Sequence, residues 1–397
     1  MENRQSLIPI NSWPAPDPAS PYFCHGPTLV SFSGGRTSAY MVWLILCAHG
    51  GQLPDYVYVV FANTGREHPK TLRFVHEVGT RWGIRIIWVE WRPPGEIAAN
   101  IVYPPELRLV RGLDKEERAR RVAARKSHRD LAMAATRFEI VGLNSADTEG
   151  KWFAELIRRK QFLPNADMRY CTEKLKVETM KWFMVSQGYT TWFNMVGLRA
   201  DEPSRVLKQV LRNQSGLERW ISGAPLFVGG VVERIVLLFW LGRNVDPERL
   251  THPLPQGFDL GIRSYRGNCL DCFLKGRGKR ARIYREDPSV AHWSLEQERL
   301  AVDRRDIRTS YMKRFDKDES VAELLHAVQH SPELIPFEEG ADKEISCTGS
   351  ICAGDEAGEA FDDSAVIWLR DRMNQTLAMP RPAAISPVLR DLFWEAA

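Results

Sequence analysis

The stretch Thr28-Leu29-Val30-Ser31-Phe32-Ser33-Gly34-Gly35-Arg36-Thr37-Ser38-Ala39-Tyr40-Met41-Val42-Trp43-Leu44 decides the fold. Residues 28–32 read as a strand, the small residues after them as a tight turn, and the apolar run from Ala39 as a helix. A strand that turns sharply into a helix leaves backbone N–H groups unpaired at the positive end of the helix dipole. Such a turn receives anions, and Gly34 and Gly35 let a phosphate approach the main chain closely. Ser33, Thr37 and Ser38 add hydroxyl groups, and Arg36 adds a fixed positive charge. The spacing fits neither the Walker loop nor the dinucleotide Gly-x-Gly-x-x-Gly. An ordinary Ser/Gly turn is the plain alternative.

The flanking sequence extends the pattern. Residues 56–61 (Tyr-Val-Tyr-Val-Val-Phe) form a continuous apolar, β-branched and aromatic run, as in a buried parallel strand. That run ends in Asn63-Thr64-Gly65-Arg66-Glu67-His68-Pro69, and a helical pattern follows over 71–82. Polar residues at the carboxyl end of such a strand line the ligand crevice of an open α/β sheet. Further strands read at 84–89, at 138–144 and at 192–196, which places Asn144 and Ser145 as further crevice residues. The alternation of strands and helices from 28 to about 206 predicts an α/β fold, a parallel sheet flanked by helices.

Ser-Gly-Gly-Arg-Thr-Ser followed by Phe-Ala-Asn-Thr-Gly-Arg-Glu-His-Pro resembles the PP-loop ATP pyrophosphatase superfamily. Within it the chain is similar to the phosphoadenosine phosphosulfate (PAPS) reductase family, in particular to members from phages and mobile elements. The resemblance implies a Rossmann-like fold of the adenine nucleotide alpha-hydrolase type, here with a mostly helical carboxy-terminal extension. Thr37 stands where the family usually has Asp. Gly197-Leu198-Arg199 and Ser204-Arg205 resemble the family's Gly-x-Arg…Ser-x-x-Arg clamp, and two guanidinium forks at a strand end suit bidentate grip on phosphate or sulfate. A surface turn with salt-bridged arginines is the alternative for that segment.

Cys269 and Cys272 have the spacing that lets two thiolates converge on one metal centre. The resemblance adds Cys171, with Tyr170 standing where assimilatory reductases carry the first Cys of a pair. It implies a 4Fe–4S cluster, with zinc, a dithiol or no metal as alternatives, since Cys-rich sites serve both metals. The fourth ligand is left open between Cys347, Cys352 and none. The reductases' carboxy-terminal Glu-Cys-Gly-Leu/Ile-His is replaced by Ser346-Cys347-Thr348-Gly349-Ser350-Ile351-Cys352. A true reductase would therefore lack its attacking thiol.

The family resemblance implies nucleotide binding by Ser33, Gly34, Gly35, Arg36, Thr37, Ser38, Asn63, Thr64, Gly65, Gly197, Arg199 and Arg205, with Arg36, Arg199 and Arg205 as the catalytic cations. The expected ligand is ATP with Mg²⁺, or PAPS or adenylyl sulfate, together with a sulfur donor or thiol reductant. The activity implied is adenylylation of an acceptor for sulfur transfer. Sulfite release from a sulfonucleotide and nucleotide sensing without turnover are the alternatives.

Composition fits a cytoplasmic enzyme. The chain has 397 residues, 44% of them hydrophobic, a net charge of +4 and seven cysteines. An odd cysteine count in a long chain does not describe a secreted disulfide framework, and no apolar run approaches a membrane span. The start lacks the apolar core of a signal peptide. The run 231–241 contains Glu233 and Arg234 and reads as a core helix. Three segments are expected: an arm over 1–27, the nucleotide-binding domain with the cysteine site over 28–275, and a helical and loop extension over 276–397. Residues 108–129 are basic and helical, with Arg111, Lys115, Arg118, Arg120, Arg121, Arg125, Lys126 and Arg129. A solvated helix or lid is the preferred reading, because no aromatic stacking pattern accompanies the charge, and a nucleic-acid acceptor is kept open. A homo-oligomer is also kept open.

Overall fold

The computed structural model describes residues 13–95, 103–110, 112–241, 258–267, 269–302, 310–330 and 361–379. Among them, six strands form one sheet in the order β4-β3-β2-β1-β5-β6: β1 Thr28–Ser31, β2 Val57–Asn63, β3 Ile86–Trp91, β4 Phe138–Val141, β5 Trp192–Met195 and β6 Trp220–Gly223. All neighbours pair in parallel except β3 and β4, which are antiparallel with Trp91 opposite Phe138. The central strands are Val-, Ile- and Trp-rich and buried on both faces, as parallel strands must be when helices cover them.

The helices in the first half are α1 Arg36–Ala48, α2 Pro69–Trp82, α3 Lys115–Ala134, α4 Lys151–Lys160, α5 Thr179–Ser186 and α6 Pro203–Ser215. There follow α7 Pro225–Val228, α8 Glu233–Trp240, α9 Arg277–Glu286, α10 His292–Val302, α11 Val321–His330 and α12 Asp363–Leu377. The start of α2 is written in the sequence: Pro69 opens it, His68 accepts from the Lys70 N–H, and Gly83 closes it in the left-handed region at φ 66°. Helix α1 is apolar nearly all round, and so it is covered on every side. One face lies on β1 and β2, and the other is roofed by α8, by Phe239 and Trp240, and by Trp13, whose ring lies tilted with its centroid 4.8 Å from that of Trp43. A π-helical turn, Thr172–Glu178, runs into α5 and sets Cys171 at its start. Helices α9, α10 and α11 pack with α4, Tyr170 and Cys171 in a second core, and α12 packs on α6, α7 and β6.

Two strands differ from expectation. Strand β6 is four residues long and follows Glu218 and Arg219, so no alternation or apolar run announces it. It forms because α6 returns the chain beside β5. Strand β4 runs against the sheet, so its last residue opposes the middle of β3. Asn144 and Ser145 therefore leave the crevice: they lie beside Val75, His76 and Gly79 of α2, and the Ser145 hydroxyl accepts from the Gly142 N–H. Arg111, Asn268, Cys347, Cys352, most of the acidic 337–363 stretch and the two chain ends lie outside the described residues. No described helix is long and apolar enough to cross a membrane.

Candidate active site

The loop after β1 is held by its own serine hydroxyls. Ser33 N–H donates to Ser38 Oγ at 3.2 Å, the two hydroxyls are 2.9 Å apart, and Ser38 Oγ donates back to the Gly35 carbonyl at 3.1 Å. No acidic residue stands in the first turn of α1. The two glycines have different roles. Gly34 sits at φ +77°, and a Cβ there would fall 2.7 Å from Thr71 Cγ2, 3.0 Å from Val75 Cγ2 and 3.2 Å from Phe61 Cε2. It is the point where the loop is pressed onto α2. Gly35 has an ordinary extended conformation, and a Cβ there would meet Ser33 Oγ alone, at 3.5 Å. Its missing side chain leaves the mouth of the loop open.

The strand-end segment after β5 closes on this loop. A Cβ at Gly197 would stand 3.4 Å from Ser38 Cα, so glycine permits the approach. Arg199 is 5% exposed and points Nη1 at Thr37 Oγ1, 3.4 Å away. Its other edge is braced by Asp201, with Nε donating at 2.9 Å and Nη2 at 3.3 Å. Burial would weaken this cation, but Glu202 and Asp201 together hold its pKa above the ordinary arginine value. Arg205 donates to Glu202, and Glu202 also accepts from the Arg199 N–H. Arg36 gives the loop its backbone, while its fork grips Asp259 at 2.7 Å on both nitrogens. Among these cations, Arg199 reaches the loop through Thr37. Asp259, which claims Arg36, lies 223 positions away and nothing local signals it.

A second group of contacts fixes the end of β2. Asn63 Nδ2 donates to Glu90 Oε1 at 2.6 Å and to the Asp147 carbonyl at 2.8 Å, and Asp147 N–H donates to the same Glu90 oxygen at 2.6 Å. Arg92 completes the set at 3.1 Å from Glu90 Oε2. Gly65, at φ +79°, allows Asp147 in: a Cβ would lie 2.3 Å from its carboxylate. Thr64 gives both its N–H and its hydroxyl to Glu67, at 3.0 and 2.8 Å. Asn63, Thr64 and Gly65 thus shape the crevice wall through Glu90, Asp147 and Glu67, which sequence reasoning missed. Glu90 carried a signal: a lone carboxylate inside the apolar run Ile-Ile-Trp-Val-Glu-Trp.

The thiols stand against that wall. Cys269 pairs backbone to backbone with Glu67 in an isolated antiparallel bridge, and its Sγ lies 3.5 Å from Thr64 Oγ1. Leu270 N–H donates to the Arg66 carbonyl at 2.7 Å. Cys171, Cys269 and Cys272 are all free. Burial pushes Cys171 up to about 12, with Cys272 and Cys269 adding to it, and burial with Cys269 pushes Cys272 up to about 11. The three sulfurs are therefore within electrostatic reach of one another, across about a hundred positions of sequence. Two lysines attend them. Lys275 is 4% exposed, donates to the Cys269 and Leu270 carbonyls at 2.8 and 3.1 Å, and is lowered to about 8 by burial. Lys176 is raised, because Cys269, Glu67 and the other two thiols together outweigh its burial.

Burial disfavours the thiolate form of Cys171 and Cys272, and Lys176 and Lys275 offset only part of that penalty, so a bound cation is what would favour the anions. That chemistry fits a thiolate-bound metal centre. As placed, no three His, Cys, Asp or Glu side chains among the described residues stand in metal-holding geometry. Cys24 and Cys47 lie elsewhere, Cys24 in the core and Cys47 packed against it, with burial raising Cys47 to about 12.

Compared with known families, residues 27–231 match the phosphoadenosine phosphosulfate reductase domain. An uncharacterized nin region protein of Escherichia phage lambda is 29% identical over 255 residues, covering 63% of this chain and 67% of the phage protein. An uncharacterized protein of Methanocaldococcus jannaschii is 23% identical over 265 residues, covering 66% of this chain and 40% of the archaeal protein. No solved structure matches.

Proposed function

Because the chain belongs to the phosphoadenosine phosphosulfate reductase domain family, we propose that it binds an adenine nucleotide over the 33–38 loop and activates an acceptor by adenylylation for sulfur transfer at Cys171, Cys269 and Cys272. The observation behind this reading is the meeting of the thiols with the β2 end: Cys269 touches Thr64, one strand over from the loop that follows β1.

On this reading the α1 N–H groups and the Ser33 and Ser38 hydroxyls take the phosphate oxygens. Arg199, held in place by Asp201, presents Nη1 beside Thr37 to the reacting phosphate. An acceptor oxygen attacks the α-phosphorus, the bond to the bridging oxygen breaks, and pyrophosphate leaves with the electron pair. Charge building on the equatorial oxygens is met by Arg199 and by the helix dipole, both fixed before reaction. Mg²⁺ arriving with the nucleotide would neutralise phosphate charge. An iron–sulfur cluster, or zinc, held by the three cysteines would supply a site for activated sulfur. Lys176 and Lys275 would balance the thiolate charge there.

Anaerobic purification with iron, sulfide and zinc counts, followed by product analysis with ATP, adenylyl sulfate and PAPS, tests the reading. Bound metal together with pyrophosphate release from ATP is the expected result. Thiol-dependent sulfite release would assign the reductase activity instead. Tight nucleotide binding with no product would assign a sensing module.

A further inference from the structure

The chain's net charge is +4, yet residues 118–129 alone hold six basic residues and no acidic one. The positive charge is therefore concentrated, and the rest of the chain is slightly acidic. Helix α3 displays this charge unevenly. Lys115, Arg118, Val122, Lys126 and Arg129 recur at the spacing of one helical stripe, and all five are exposed. The stripe spans about 21 Å at 1.5 Å per residue. Other cations of α3 are already engaged: Arg120 and Arg121 pair with Glu117, Arg121 also donates to the Arg108 carbonyl, and Arg125 lies 3.9 Å over the Tyr103 ring. The four stripe cations form no ion pair among the described residues.

We propose that this stripe of α3 is a binding surface for the phosphodiester backbone of a nucleic acid. Four unpaired cations on one helix face, in a chain whose remaining charge sums to zero, match a polyanion with closely spaced charges. The helix is held at its far end, where Leu131 and Ala134 join the core with Met180, Trp182 and Phe183, and along its side by Arg121 on the Arg108 carbonyl and Arg125 on Tyr103, which leaves the stripe exposed. Contact is through phosphates and not bases, because Arg125 covers Tyr103, the aromatic ring beside the helix. A lipid surface fits less well: Val122 is the stripe's one apolar side chain, whereas interfacial helices bury a broad apolar face. Binding here needs nothing from the nucleotide crevice.

The test is fluorescence anisotropy of the full chain with a labelled DNA duplex and an RNA duplex of the same sequence, across a salt series, beside sedimentation with phosphatidylserine vesicles. The variant Lys115→Gln/Arg118→Gln/Lys126→Gln/Arg129→Gln keeps helix propensity and alters only exposed positions. The parent should bind at least one duplex at low salt. The variant should bind at least tenfold more weakly, with the slope of log K against log salt reduced by about three to four, since each phosphate contact contributes about 0.9. Lys126→Gln alone should lower the slope by about one. Binding to both duplexes identifies the shared backbone, and a preference for one identifies the natural polymer. No duplex binding by the parent, an unchanged slope in the folded variant, or binding to vesicles alone would overturn the proposal.

Discussion

Replacing Gly34 with Ala should destabilise the protein, while the same change one residue later should not. At Gly34 the new Cβ meets a backbone at φ +77° and a wall of Thr71, Val75 and Phe61, with the first contact at 2.7 Å. A left-handed conformation costs a non-glycine residue about 1–2 kcal/mol, and overpacking a buried contact adds about 1–3 kcal/mol. Thr71 and Val75 sit on a helix whose own packing against β2 and β3 leaves little room to retreat. A loss of about 2–5 kcal/mol is therefore expected for Gly34→Ala. For Gly35→Ala the backbone is extended and the one neighbour is Ser33 Oγ at 3.5 Å, so the change should stay within about 0.5 kcal/mol. Urea unfolding of the ligand-free proteins, followed by tryptophan fluorescence, reads both. Equal midpoints for the two variants, or a larger loss at Gly35, would refute this division of labour in the loop.

Arg199→Lys keeps the charge but loses the fork shared between Asp201 and Thr37, so nucleotide affinity should fall about tenfold or more by calorimetry; parental affinity would make Arg199 a purely structural ion-pair partner. Cys171→Ala, Cys269→Ala and Cys272→Ala should each lose metal and visible colour after anaerobic purification, whereas Cys47→Ala should retain both, and a coloured Cys171 variant would remove that residue from the centre. Glu90→Ala strands the Asn63 amide and the Asp147 N–H and should cost about 2–5 kcal/mol, with Glu90→Gln recovering part of it; a neutral result in a thermal melt would contradict the bracing of the β2 end. His49 accepts the Cys24 N–H on Nε2, and burial, aided by His25, lowers its pKa from 6.5 to about 4. Between those values the unfolded chain binds more protons, so this contribution is complete above pH 6.5 and fades toward pH 4. A urea midpoint as high at pH 4.5 as at pH 7, and unaffected by His49→Gln, would contradict it.

Local chemistry made much of the fold legible. Residues 28–44 specify strand, turn and helix through hydrophobic pattern and glycine placement, and the all-apolar run ending at Phe61 specifies a strand covered on both faces. Strand β6 escaped because tertiary pairing with β5, and not composition, makes it. The direction of β4 escaped because a strand's polarity is set by how the chain returns to it, here through α3, and no periodicity encodes that. At the site, Gly197 and Arg199 were readable as a forked cation at a strand end, and the Cys269/Cys272 spacing as a thiol pair. The long-range partner of Arg36 was not. Asp259 takes Arg36, Glu202 takes Arg205, and Asp201 leaves one nitrogen of Arg199 for Thr37. Asp201 and Glu202 are sequence neighbours of the arginines they hold, in keeping with the salt-bridged turn, whereas Asp259 is 223 positions from Arg36 and looks like ordinary surface charge until the chain is folded.

If the 33–38 loop holds the phosphates of an adenine nucleotide, a side chain in its mouth must abolish binding. Calorimetric titration of ATP and of PAPS into the parent and into Gly35→Val tests it most directly, because a side chain at Gly35 fills the mouth of the loop without entering the core. Saturable binding of at least one of the two nucleotides to the parent, and none to the folded variant, is the expected result. Equal affinity in both proteins would place the nucleotide elsewhere and refute phosphate binding at this loop.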